Sequence, residues 1–225
     1  MALANAGADV AITWRTSQTE AAQTASEIEA IGCQALAVEC DVRSQASVRS
    51  AIAATIARFG NLDLLVNNAA VFHSSALDHL TLDQWDLVFE TNTRGPFLVA
   101  REALPHLRAA HGRIVNIGSL GGIHAWAAHA HYCASKAALH MLTQAMAKAF
   151  APAVSVNCVA PGFIEFGQIQ SEEQPSDDAR RFAARTPMRR NGTAEDVAQA
   201  VLFFASGPSF ITGQILVVDG GLGLS

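Results

Sequence analysis

The amino-acid sequence predicts an α/β protein, a doubly wound parallel sheet in a single domain spanning residues 1–225. Three observations predict it. Short β-rich apolar runs alternate with longer helical patterns, and such alternation builds parallel sheets covered by helices on both faces. The strands are near-continuous in apolar residues, as a sheet buried on both sides requires. Side chains able to do chemistry gather just past the strand ends, where ligands of such sheets bind.

The elements follow in order. A strand over residues 9–14 leads to a helical pattern over 19–31 and a strand over 34–40. A helix over 47–59 precedes one of the most apolar runs, the strand over 62–66. Helices over 81–90 and 91–110 then lead to the strand over 113–117, with Ile114 to Ile117 at its core. A helix over 131–150 and a strand over 155–159 come next. After an irregular stretch, a helix over 193–205 and a strand over 214–218 close the pattern. The most polar stretch, 168–178, reads either as a lid beside the site or as a solvated loop.

Composition sets bounds. Half of the 225 residues are hydrophobic and 16% are charged, enough for a large core. No apolar run reaches the ~18 residues of a membrane span. A net charge of −5 gives no general attraction to nucleic acid or anionic membrane. Cys33, Cys40, Cys133 and Cys158 lack metal-like spacing and read as reduced thiols. The first residues carry no secretion pattern, and the expected location is cytoplasmic.

Tyr132 and Lys136 carry the chemistry. On the helix over 131–150 they lie one turn apart on one face. A cation beside a phenol favours the phenolate, which lowers a pKa that is ordinarily ~10. A tyrosine so placed can exchange a proton with an alcohol or carbonyl oxygen. Ser119, at the end of the run Arg113-Ile-Val-Asn-Ile-Gly-Ser119, can hydrogen-bond the same oxygen. Taken alone, a Tyr-x-x-x-Lys pair is a common pair on helix surfaces. Here, Asp41-Val42, Asn67-Asn68-Ala69-Ala70, Ser119 and Pro161-Gly162-Phe163-Ile164 each follow a strand, which outlines a nucleotide cleft.

These residues also form an ordered set of motifs. It runs Gly7-Ala8-Asp9-Val10, Cys40-Asp41-Val42, Asn67-Asn68-Ala69-Ala70, Asn92 within Thr91-Asn-Thr-Arg-Gly-Pro-Phe97, and Ile117-Gly118-Ser119. It continues with Tyr132-Cys-Ala-Ser-Lys136, Val156-Asn157, Pro161-Gly162 and Val218-Asp219-Gly220-Gly221. The chain resembles the short-chain dehydrogenase/reductase family over nearly its whole length, and the resemblance implies a Rossmann-like fold. Within the family, the chain is similar to 3-oxoacyl-acyl-carrier-protein reductases and to pteridine-reductase-like members.

The resemblance implies roles. Tyr132 would be the acid/base, Lys136 would lower its pKa and hold the nicotinamide ribose, and Ser119 would orient the substrate oxygen. Asn92 would support a water that relays protons to Lys136. Asp41 and the Val42 backbone would meet the adenine, Asn68 and Ala69 would line the cofactor, and Pro161, Gly162 and Ile164 would flank the nicotinamide. Trp126 and His129 would shape the substrate pocket, although Trp126 reads equally well as packing. Asn67, Asn157 and Asp219 read as structural hydrogen bonders, and Cys133 as an inert thiol. His124, His129 and His131 suggest a metal, but carboxylate or cysteine partners at metal spacing are lacking nearby.

Cofactor and partners follow the same resemblance. Trp14 stands where relatives that prefer NAD(H) place an acidic residue, and Arg15 follows. A guanidinium suits a 2′-phosphate, so NADP(H) is favoured over NAD(H). The expected substrate is a small carbonyl or alcohol compound, and the expected assembly a homo-oligomer, tetramer or dimer. Residues 108–111 and 151–153 are poor in basic charge, which argues against a carrier-bound substrate.

Two departures stand out. The family's Gly-rich phosphate-binding turn is absent, and residues 1–6 resemble the end of the helix that follows it. The expectation is an N-terminally truncated chain without the central strand between those over 9–14 and 62–66. Losing about five buried apolar residues at ~1.5–3 kcal/mol each forfeits roughly 10 kcal/mol. That rivals a domain's whole stability of ~5–15 kcal/mol. Poor folding or weak dinucleotide binding is therefore expected, and a catalytically impaired fragment or non-catalytic subunit stays open beside the enzyme reading. The second departure is Phe166, where many relatives place a threonine that holds the carboxamide. Residues 168–173 would have to compensate.

Overall fold

The structure, a computed structural model, describes residues 1–165 and 176–224. Among these, the strands are β1 (Val10–Trp14), β2 (Ala35–Glu39), β3 (Leu64–Asn67), β4 (Arg113–Ile117), β5 (Ser155–Pro161) and β6 (Ile215–Val218). The helices are α1 (Ala2–Asn5), α2 (Gln18–Ala30), α3 (Gln45–Phe59), α4 (Leu82–Phe89), α5 (Gly95–Ala109), α6 (Ala130–Phe150), α7 (Asp177–Arg185) and α8 (Ala194–Ser206). Every strand pairing is parallel.

The apolar strands are covered on both faces, and this explains their lack of alternation. Neighbouring residues of a strand point to opposite sides. On one face Ile114 and Val156 pack with Ala100, Ala103 and Leu107 of α5 and Met146 and Ala147 of α6. On the other, Val115 and Val159 pack with Ala200, Val201 and Phe204 of α8. Burying each large aliphatic side chain contributes ~1.5–3 kcal/mol, so β4 and β5 anchor the fold.

The sheet is in two parts. β1 pairs with β2, and β3, β4, β5 and β6 form a second set in that order. Among the described residues no strand pairs with the remaining edges of β1 and β3. Both strands are only part-buried along most of their length, unlike β4 and β5.

Local sequence explains the helix ends. Thr81 with Gln84 and Thr193 with Asp196 form capping boxes that start α4 and α8. Gly60 ends α3 at φ +83°, a left-handed conformation that glycine adopts without steric cost. Two details depart from the sequence reading. The stretch between β5 and α8 contains α7, capped by the Ser176 hydroxyl, which accepts from the Ala179 N–H. Residues 90–94 form a π-helical turn between α4 and α5 instead of belonging to plain α-helices. Phe166, residues 168–173 and most of the polar stretch 168–178 lie outside the described residues.

Candidate active site

The π-turn Glu90–Arg94 positions Asn92, which is fully buried. Such turns widen a helix by one residue and recur at functional sites. The Asn92 Oδ1 accepts from the Val71 N–H at 2.8 Å, and its Nδ2 donates to the Val71 carbonyl at 2.9 Å. That Nδ2 also reaches the Ser135 Oγ at 3.2 Å, and the Ser135 hydroxyl donates to the Tyr132 carbonyl at 2.8 Å. Asn92 therefore clamps the segment after β3 to the first turns of α6.

Helix α6 brings Tyr132 and Lys136 together, with the Lys136 Nζ 5.8 Å from the centre of the Tyr132 ring. Lys136 is 3% exposed and donates to the Ile117 carbonyl at 2.7 Å. Burial lowers its pKa from 10.5 to about 8. Tyr132 shifts up, against the expectation of a depressed phenol: burial raises it, and hydrogen bonding with the Ser119 side chain pulls it back only in part. The reason is desolvation of a group set into the protein, which favours the neutral form.

Ser119 lies at the turn after β4, and its Oγ accepts from the Gly121 N–H at 3.0 Å. Beneath that turn lies His140, one helical turn beyond Lys136, whose Nε2 is 3.4 Å from the Ser119 N–H. Gly118 and Gly122 make this close approach possible. A Cβ on Gly122 would come within 2.6 Å of the His140 ring, and one on Gly118 would collide with the same ring and lie 2.7 Å from the Cys158 Sγ.

The remaining candidates ring the same strand ends. Asp41 gives both carboxylate oxygens to Arg43, at 2.9 Å to Nε and 2.6 Å to the terminal nitrogen. That pairing holds the Asp41 pKa down to about 2. Val42 packs on Gly95, where a Cβ would come within 2.8 Å of Val42 Cγ2. Arg15 is exposed just past β1, and Asn68 and Ala69 are exposed just past β3. Pro161 ends β5. The Gly162 N–H donates to the Val218 carbonyl at 2.9 Å, and a Cβ on Gly162 would come within 2.6 Å of the Asp219 Cβ. Ile164 bridges to Gly192.

Asn67, Asn157 and Asp219 do structural work. Asn67 donates to Asn116 at 2.8 Å, and Asn116 to Thr143 at 2.9 Å, a buried chain linking β3, β4 and α6. Asn157 donates to the Ile211 carbonyl and accepts from Gln214. Asp219 accepts from the N–H groups of Gly221 and Gly223. Burial pushes the Cys133 thiol up, away from the reactive thiolate.

Trp126 comes beside Tyr132, and His129 packs against Trp126. The Trp126 ring lies 6.2 Å from the Tyr132 ring at 12°, and is edge-on to His129 at 6.0 Å. Phe72 joins them, stacked on His129 at 4.5 Å and edge-on to Tyr132 at 4.7 Å.

Known proteins resemble this chain throughout. The family model described as Enoyl-(Acyl carrier protein) reductase matches residues 1–223. The 3-oxoacyl-(acyl-carrier-protein) reductase of Staphylococcus aureus is 34% identical over 98% of this chain and 90% of its own length. A short-chain dehydrogenase/reductase of Serratia marcescens superposes with a TM-score of 0.91 at 34% identity, covering 99% of this chain and 90% of that one. A gluconate 5-dehydrogenase of Burkholderia cenocepacia, solved with NADP and tartrate, gives a TM-score of 0.90 at 34% identity over 100% of this chain and 89% of that one. The chain belongs to the short-chain dehydrogenase/reductase family.

As a member of that family it is an oxidoreductase, and among the described residues no helix is long and apolar enough to cross a membrane. Three site residues of this short-chain dehydrogenase/reductase escaped sequence reasoning. His140 repeats the four-residue spacing from Lys136, and Arg43 follows Asp41 by two positions. Phe72 is a large aromatic residue directly after a strand-end loop, where a core position is not expected.

Proposed function

We propose that this protein transfers a hydride between NADP(H) and a small carbonyl or secondary alcohol, with Tyr132 as acid/base. The Tyr132–Lys136–Ser119 arrangement, with Lys136 and Ser119 buried and Tyr132 partly so, carries the reading. In the reducing direction, the neutral phenol favoured by burial is the form that donates a proton to a carbonyl oxygen. Ser119 orients that oxygen, and Lys136, with a pKa of about 8, can return a proton to the phenolate near neutral pH. Asn92 holds the first turns of α6 in register and supports the proton path to Lys136. When bound, the nicotinamide supplies the hydride.

The residues fit a dinucleotide at its two ends. An ammonium has three donors, and Lys136 gives one to Ile117 among the described residues, leaving two for ribose hydroxyls. Pro161, Gly162 and Ile164 would flank the nicotinamide, and Asn68 and Ala69 would line the path. Asp41 and Val42 would meet the adenine. Arg15 would take a 2′-phosphate, and Arg43 offsets the Asp41 charge that would otherwise repel one. No described residue is assigned to the pyrophosphate.

Exposed Phe97 on α5 and Met141 on α6 favour a homo-oligomer, tetramer or dimer, paired through these helices. The fold and the net charge of −5 give no reason to invoke nucleic acid or membrane partners, and a cytoplasmic setting suits the four free cysteines.

The test is a titration with NADPH and NADH, followed by reduction of a panel of small carbonyls read as loss of reduced-nicotinamide absorbance. Tighter binding of NADPH than of NADH, turnover, and a selective loss of NADPH affinity in Arg15→Glu are expected. Failure to bind either dinucleotide, or equal effects of Arg15→Glu on both, would refute the cofactor assignment.

A further inference from the structure

Phe72 is 58% exposed, and it belongs to none of the hydrophobic clusters that build the fold. Its backbone is nevertheless held firmly. The residue before it, Val71, has both its N–H and its carbonyl bonded to the Asn92 side chain. Three residues on, the Ser75 N–H donates to the Ala128 carbonyl at 2.9 Å, tying the same loop to the segment that carries Trp126 and His129. A phenyl ring fixed this way while facing solvent contributes little to folding. Phe72 joins His129, Tyr132 and Trp126 in one aromatic cluster beside the phenol, the kind of apolar lining that small-molecule sites carry.

The ring geometry indicates what it binds. His129 covers one face of Phe72 at 4.5 Å and 15°, and the Tyr132 ring meets it edge-on at 4.7 Å and 89°. With Trp126 nearly parallel to Tyr132, the rings of Phe72, Trp126 and His129 form a connected aromatic cluster against the phenol. Burial favours the neutral form of His129, so its ring acts as an aromatic wall and does not recruit an anion. We infer that the substrate is an aryl carbonyl compound, or its alcohol, whose ring lies against Phe72 while its oxygen meets Tyr132 and Ser119. This rests on the oxidoreductase reading above and adds the substrate class. Aromatic pairs gain beyond simple area burial, by an amount equivalent to about two- to tenfold in affinity.

The test uses a matched pair, 1-phenyl-2-propanone and 1-cyclohexyl-2-propanone, which differ only in the aromaticity of the ring. The phenyl compound should be preferred about two- to tenfold in kcat/KM. That ratio should fall to near one in Phe72→Leu and persist in Phe72→Tyr. Binding of 4-fluorobenzyl alcohol, followed by fluorine NMR, reads the ring site without turnover and should weaken in Phe72→Leu. Turnover with a ratio of one in the wild type, or a ratio unchanged in Phe72→Leu, overturns the substrate class and leaves the oxidoreductase reading intact. Ring binding sensitive to Phe72 with no carbonyl reduced overturns the activity and leaves the ring site intact. Neither binding nor turnover overturns both.

Discussion

Replacing Lys136 with methionine should make the protein more stable and catalytically dead. Lys136 is almost wholly buried, and its pKa falls from 10.5 to about 8 because the interior disfavours the ammonium. At ~1.36 kcal/mol per pKa unit, the folded state bears roughly 3 kcal/mol for keeping that charge near neutral pH. Methionine keeps most of the unbranched stem and removes the charge. It also leaves the Ile117 carbonyl without its 2.7 Å donor, a loss of ~1 kcal/mol. The net expectation is a gain of about 2 kcal/mol. Because the folded pKa lies below the unfolded one, the unfolded chain binds the extra proton between them, and wild-type stability rises with pH across that window. The advantage of Lys136→Met should therefore be full below about pH 8 and fade by about pH 10.5. Urea unfolding of both proteins across that range measures it. A methionine variant less stable than wild type near neutrality, or an advantage independent of pH, would refute the reasoning.

Other substitutions probe the scaffold around the site. Gly118→Ala drives a Cβ into the buried His140 ring and to 2.7 Å from the Cys158 Sγ, so it should cost about 1–3 kcal/mol and lower kcat by displacing Ser119, as thermal unfolding and steady-state kinetics would read. Asn116→Ala takes away the acceptor of the Asn67 amide in the core, while the Thr143 hydroxyl keeps the Leu139 carbonyl, and should cost about 1–3 kcal/mol in denaturant unfolding. Asn92→Ala unpairs the Val71 N–H and carbonyl, with a similar cost, and hydrogen exchange should show residues 71–75 losing protection before the strands do.

The sequence was most informative where a local pattern and the tertiary structure agree. Alternating elements gave the strand and helix order, because β4 and β5 are buried on both faces and leave no room for polar residues. Tyr132, Lys136 and Ser119 were recognisable because helix periodicity and a strand end fix them locally. The polarity of their surroundings was harder to foresee. The phenol shifts up because of how deeply the α6 face is set into the protein, which no spacing reveals. The π-turn at 90–94 was hidden because its sequence, Glu-Thr-Asn-Thr-Arg, satisfies ordinary helix patterns, and only the demand of Asn92 for Val71 reveals it. Arg43 and Phe72 were missed for the same reason. Their roles depend on partners brought together by folding, Asp41 in one case and His129 with Tyr132 in the other.

Replacing one phenolic oxygen addresses the proposed chemistry most directly. Tyr132→Phe keeps the ring against Phe72 and Trp126 and removes only the group that exchanges the proton. NADPH affinity should stay within about twofold of wild type, while kcat/KM for carbonyl reduction falls by ~10²–10⁴. Carbonyl reduction by Tyr132→Phe at the wild-type rate would contradict the account.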